Sequence, residues 1–165
     1  MRLLIVRHAI AVPHGTPEVP EAERPLTPGG QKKFRSAAAG LARICRRPDA
    51  LLTSPLVRAR QTAEIAARAW GRVKPQDEGA LAGGTFEQIA AALDRHAGKR
   101  LVAVFGHEPD VSGLVARLLG TTASERLTFK KGGAALLDVP GSMAQGGALV
   151  WYVPPRVLRA LAGED

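Results

Sequence analysis

An arginine and a histidine close the first apolar run of the chain, Leu3-Leu4-Ile5-Val6-Arg7-His8-Ala9. The two side chains offer complementary chemistry. A guanidinium grips phosphate through paired hydrogen bonds, and a neutral imidazole can attack phosphorus or carry a proton. The arrangement recurs twice. Ser54-Pro55-Leu56-Val57-Arg58 follows Ala50-Leu51-Leu52-Thr53, and Gly106-His107-Glu108-Pro109 follows Leu101-Val102-Ala103-Val104-Phe105. Ser54 suits a helix N-cap and Pro55 a first helical residue, which sets Arg58 in the first turn near free backbone donors. Ligands of open α/β sheets sit beyond the carboxyl ends of the strands. Three such ends side by side would bring Arg7, His8, Arg58 and His107 into one anion pocket.

The elements that must hold these residues follow from pattern. The three apolar runs read as buried strands of a parallel sheet. Thr27-Pro28 opens a helix with apolar positions at Phe34, Ala37, Ala38, Leu41, Ile44 and Cys45, stopped by Pro48. A second helix runs from Ser54 to about Trp70, with Gly71 after it. Thr85 and Gln88 form a capping box for a third, closed by Gly98. Asp110 or Ser112 caps a fourth, through Leu119. Ala134–Asp138 and Leu149–Val153 read as a late hairpin. Residues 12–25 lack periodicity and read as a loop near the first strand end. Alternating strands and helices imply an α/β fold, a three-layer α/β/α sandwich with a mostly parallel central sheet.

Composition narrows the class. The chain has 165 residues, the size of one domain, expected to span 1–165. Hydrophobic residues make up 45% and charged residues 23%, the balance of a globular protein with no run long enough for a membrane span. The lone cysteine, Cys45, excludes an internal disulfide, fits a reducing cytoplasm and falls on an apolar helix face. A net charge of +8 favours acidic partners, yet aromatics are only 4% and the basic residues are dispersed, which argues against nucleic-acid binding. Of four histidines, His8, His14, His96 and His107, none has metal-ligand spacing with cysteines or carboxylates, so neither a metal nor another cofactor is expected.

The motifs together resemble the histidine phosphatase superfamily, whose signature is Arg-His-Gly near the start, Ser-Pro-x-x-Arg-Ala-x-Gln-Thr, and a later Gly-His. Here they are Arg7-His8-Ala9, Ser54 to Thr62, and Gly106-His107, with alanine replacing the usual glycine at position 9. Arg24-Pro25-Leu26-Thr27 with Gly30, Phe129-Lys130-Lys131-Gly132-Gly133, and Pro155-Arg156 resemble the SixA-type phosphohistidine phosphatase branch. The resemblance implies a phosphoglycerate mutase-like fold and a phosphohistidine intermediate on His8. Arg7, His8, Arg58 and His107 would bind the phosphate. Neighbouring arginines would keep the His8 imidazole neutral, and His107 would donate to a phosphate oxygen.

The proton for the leaving group is the open question. Glu21, Glu23, Glu78 and Glu108 are the candidate acids, with Glu21 first by its closeness to the Arg-Pro-Leu-Thr segment. Weak acid provision suits an N–P bond, because a protonated phosphohistidine releases a neutral imidazole whereas an alkoxide needs a delivered proton. Arg24 and Lys131 are further candidate contacts. The expected substrate is a phosphohistidine on a histidine phosphotransfer protein. The alternatives are a phosphomonoesterase for a small phosphorylated metabolite or nucleotide and, less favoured, a phosphoprotein-binding module. Inorganic phosphate or sulfate should occupy the pocket, and no membrane partner is expected.

Overall fold

The computed structural model describes residues 1–163. Six strands form one sheet: β1 (Arg2–Arg7), β2 (Ala50–Thr53), β3 (Pro75–Asp77), β4 (Leu101–Gly106), β5 (Ala134–Asp138) and β6 (Ala148–Val153). Their order is β3-β2-β4-β1-β5-β6. The pairings β3–β2, β2–β4 and β4–β1 are parallel, while β1–β5 and β5–β6 are antiparallel. The helices are α1 (Pro28–Ile44), α2 (Val57–Ala69), α3 (Phe86–Asp94), α4 (Asp110–Leu118) and α5 (Pro155–Ala162).

Strand side chains alternate between faces, so each strand feeds two cores. Leu4 and Val6 of β1, with Ala103 and Phe105 of β4, pack against Phe34 and Leu41 of α1, Ala63 of α2 and Leu158 of α5. Leu3 and Ile5, with Val102 and Val104, pack against Ile89 and Leu93 of α3 and Leu114 and Leu118 of α4. The result is the expected three-layer α/β/α sandwich. Continuous apolar runs mark β1 and β4 because both faces are covered.

Local signals explain several boundaries. Thr27 Oγ1 accepts the Gly30 N–H at the start of α1, and Thr85 with Gln88 makes a reciprocal capping box at α3. Other boundaries differ from expectation. Helix α2 begins at Val57, with Leu56 rather than Ser54 at its N-cap. Neither Asp110 nor Ser112 caps α4, whose N-cap is Pro109. Helix α3 ends at Asp94, short of Gly98. Strand β3, polar and three residues long, and helix α5 carry no signal used in the pattern reading. Cys45 is buried and its thiol pushed up to about 11 by that burial, which leaves it a packed, unreactive group. Among the described residues, no helix is long and apolar enough to cross a membrane.

Candidate active site

The sheet order puts the carboxyl ends of β2, β4 and β1 next to one another. Arg7 pairs with Gly106, and Thr53 with Phe105. The ladder continues one step past the strands, since the His8 N–H donates to Gly106 O and the Ser54 N–H to Phe105 O, both at 2.9 Å. This brings Arg7, His8 and His107 to one edge, and Arg58 joins them from the second position of α2. A fourth segment closes the edge. The Gly132 N–H is shared between the carbonyls of Arg7 and His8, each at 3.1 Å, with Gly132 at φ +82°, a conformation that suits glycine.

His8, Arg58 and His107 are buried, no more than 7% exposed, and Arg7 is half-buried. His8 Nδ1 lies 2.7 Å from Ala9 O. A carbonyl only accepts, so Nδ1 carries the proton and the lone pair is on Nε2. The His8 and His107 rings stand 5.1 Å apart, centre to centre. His107 Nε2 lies 2.7 Å from Ser54 Oγ, which also accepts the Leu56 N–H at 3.3 Å. We assign the tautomer in which the hydroxyl donates to Nε2, which leaves Nδ1 of His107 as the donor nitrogen.

The electrostatics favour neutral imidazoles. The His8 pKa falls from 6.5 to about 3, chiefly through burial; the Ala9 carbonyl opposes this, while His107, Arg58 and Arg7 add to the fall. His107 falls to about 4, again chiefly through burial, then through Arg58 and Arg24, with Glu21 opposing. Desolvation is the largest cause, and the arginines, the cause expected from the sequence, add to it.

Among the described residues, the buried side-chain nitrogens or oxygens without a partner are Arg7 Nε, Arg58 Nε and His107 Nδ1. Such groups are rare in folded proteins and call for an acceptor. All three belong to the four residues gathered here. Other guanidinium nitrogens hold the arginines in place: Arg7 Nη1 donates to Phe129 O, Arg58 Nη1 donates to Glu21 O at 2.8 Å, and Arg58 Nη2 lies 3.1 Å from Glu21 Oε1. The arrangement can hold a tetrahedral oxyanion against an imidazole lone pair.

The candidate acids are placed differently from expectation. Glu21 reaches the site edge but is held by three bases. Arg24 donates from Nε and Nη2 to its two oxygens at 2.8 and 2.6 Å, Arg58 Nη2 lies 3.1 Å away, and His14 Nδ1 lies 2.6 Å away. The Arg24 and His14 hydrogen bonds, with the charges of Arg24 and Arg58, lower its carboxyl to about 2. A group ionised at neutral pH has no proton to give, so the acid role expected of Glu21 does not suit it. Glu23 is exposed on the turn Glu21–Glu23. Glu78 accepts from Ala80 N and pairs with Arg95 at 2.6 Å. Glu108 accepts from Ser112 Oγ at 2.5 Å and Phe129 N at 2.6 Å. Arg24 is buried beside Glu21, Lys131 is exposed next to Gly132, and Arg60 pairs outward with Asp77.

Pattern reading missed two supports. Thr62 Oγ1 accepts the buried Ala9 N–H at 3.0 Å and donates to Arg58 O at 2.6 Å, so one hydroxyl ties the turn after His8 to the helix carrying Arg58. Gln61 Oε1 accepts from Leu26 N at 2.7 Å and anchors the first loop. Helical spacing was the available signal, since Thr62 stands four positions after Arg58 and so on the same face.

Known proteins share this fold. The family model of the histidine phosphatase superfamily (branch 1) matches residues 3–88. An uncharacterised protein of Picosynechococcus sp. is 32% identical over 136 residues, covering 81% of this chain and 82% of its own. The chain belongs to the histidine phosphatase superfamily, and the family supports phosphatase activity. Within it the likeness is to SixA. The protein histidine phosphatase SixA, solved in complex with tungstate, superposes with a TM-score of 0.81 at 26% identity, over 96% of this chain and 99% of its own. The fold is shared more widely: the alpha-ribazole phosphatase from Shigella flexneri superposes at a TM-score of 0.75 and 17% identity, over 94% of this chain and 97% of that one.

Proposed function

We propose that the chain removes phosphate from phosphohistidine on an acidic phosphotransfer protein, through a phosphohistidine formed on its own His8. The observation that carries the reading is that the three buried donors without a partner among the described residues all belong to Arg7, Arg58 and His107, beside a His8 imidazole held neutral with its lone pair on Nε2. Arg7 and Arg58 grip the phosphoryl oxygens, and His107 Nδ1–H donates to the oxygen that gains charge in the transition state. His8 Nε2 attacks phosphorus as the substrate N–P bond breaks. The electron pair returns to the substrate imidazole, which leaves neutral because its other nitrogen keeps its proton. The Ala9 carbonyl accepts from Nδ1 throughout and stabilises the cationic phosphoimidazole of the enzyme. Water then attacks that phosphorus, the pair returns to Nε2, and the proton lost by water ends on the released phosphate. The arginines supply the charge that this scheme needs.

The class of substrate follows from the glutamates. Glu21 is ionised, Glu78 is bound to Arg95, and Glu108 accepts from a hydroxyl and a backbone N–H. A substrate that brings its own leaving-group proton fits this setting best. The test is kcat/KM for a phosphohistidine phosphotransfer protein set against a panel of alkyl and aryl phosphates. The reading expects the phosphohistidine to lead the alkyl esters by at least about 100-fold, as a missing general acid costs on that order. Comparable values for a small alkyl phosphate would move the assignment to a metabolite phosphatase.

A further inference from the structure

Beside the phosphate centre the surface sinks into a cavity of about 230 Å³. Its apolar lining is Ala9, Phe34, Ala37 and Pro155, and three cations stand in its wall: Lys33 of α1, Lys131 of the loop before β5, and Arg159 of α5. It shares Ala9 with the turn after His8, and Gly132 with the backbone clamp on Arg7 and His8. The loop after β1 comes close to α1 only because position 30 has no side chain; a Cβ there would run into Ile10 O. The cavity is therefore built by the same contacts that build the phosphate centre.

Among the described residues the three cations have no carboxylate partner. Among the described residues the ion pairs formed by arginine involve Arg24, Arg46, Arg58, Arg60, Arg95, Arg117 and Arg126, and no lysine has a carboxylate within ion-pair distance. Like charges drawn around one concavity repel, and the repulsion is relieved when an anion enters. An apolar floor under a cationic rim matches a segment whose acidic side chains flank an aliphatic one. A bare phosphate would leave that floor uncovered, and a nucleic acid would find no aromatic platform.

We infer that Lys33, Lys131 and Arg159 form a docking subsite for acidic side chains of the substrate protein, next to its phosphorylated residue. This deepens the reading given above and rests on it for the nature of the partner. Phosphate chemistry is done by Arg7, His8, Arg58 and His107, while the cavity selects which phosphoprotein is held there. Its contribution lies in binding, enters KM rather than kcat, and weakens with salt.

The test measures binding, so that it does not depend on turnover. Two fluorescein-labelled peptides carry the same non-hydrolysable phosphohistidine analogue, one flanked by glutamate and leucine, the other by glutamine and leucine. Anisotropy titrations at about 0.1 M salt compare wild type, Lys33→Glu/Lys131→Glu, and Lys99→Glu/Arg100→Glu. The last pair carries the same change in net charge but sits at the opposite end of the sheet, at the start of β4. The expected result is a glutamate peptide bound at least 10-fold more tightly than the glutamine peptide by wild type and by the distant variant. In Lys33→Glu/Lys131→Glu the two should bind within about twofold of each other, with the glutamine peptide unaffected. Equal binding of the peptides by wild type, a preference that survives in Lys33→Glu/Lys131→Glu, or equal loss in both variants would overturn the subsite. The proposed function fails by a different sign, namely that a phosphohistidine protein is not turned over while the peptide preference persists.

Discussion

Ser54 Oγ and His107 Nε2 stand 2.7 Å apart, and the Leu56 N–H donates to the same oxygen at 3.3 Å. The residue that looks like a helix cap in the sequence instead fixes which nitrogen of His107 carries a proton. Its replacement therefore acts on catalysis through the imidazole. Ser54→Ala should lower kcat about 10-fold with KM little changed, because one positioned donor of the transition state loses its orientation. Ser54→Thr should recover most of the loss. A drop in KM-controlled steps alone, or no change in kcat, would remove Ser54 from this role.

Glu21 holds Arg24 and Arg58 rather than a proton. Glu21→Gln should weaken phosphate and tungstate inhibition and raise KM by about 3- to 10-fold for every substrate alike. A plot of log kcat/KM against leaving-group pKa should shift down without changing slope. A steeper slope in the variant would restore Glu21 as the acid.

Thr62 is the joint between the two motifs. In Thr62→Val the Ala9 N–H, buried with Ala9 at 3% exposure, loses its acceptor. The expected cost is about 1–3 kcal/mol in denaturant unfolding, together with reduced turnover as the His8 turn loosens. Thr62→Ser keeps the hydroxyl and should lie close to wild type. A fully stable, fully active Thr62→Val would show that the clamp contributes nothing.

Much of this site was legible before any coordinates. Arg7, His8, Arg58 and His107 end or follow apolar runs that have to be buried, and parallel sheets present such ends together. The cap at Thr27 and the capping box at Thr85 and Gln88 are local and were equally readable. The contacts of Ser54 with His107 and of Glu21 with Arg58 are not, because they form across 53 and 37 positions of chain. Strand β3 is a polar edge segment, which carries no periodicity, and helix α5 is short and opens on two prolines. The size of the His8 shift was hidden too, as burial comes from packing rather than from neighbours in sequence.

Two depressed histidines also set a stability profile. The folded-state values, about 3 for His8 and about 4 for His107, lie below the ordinary 6.5. Between roughly pH 4.5 and 6.5 the unfolded chain binds more protons than the folded one, so stability rises with pH through that window and levels off above it. The slope should approach about 1–2 kcal/mol per pH unit, since up to two protons are taken up by the imidazoles on unfolding. His8→Ala should flatten it measurably. Chemical unfolding at pH 4.5, 5.5, 6.5 and 7.5 provides the check, and a profile flat over that range in wild type would contradict the buried neutral pair.

The central claim is that His8 becomes phosphorylated during turnover. The direct measurement is a rapid quench into base of wild type mixed with a phosphohistidine protein labelled in its phosphate, followed by mapping of the label. Alkali-stable, acid-labile label is expected on His8 within the first turnover and is expected to be absent from His8→Ala, whose turnover should fall by at least about 1000-fold while the fold stays intact. Label that never appears on the wild-type enzyme, or that appears unchanged on His8→Ala, would contradict this claim.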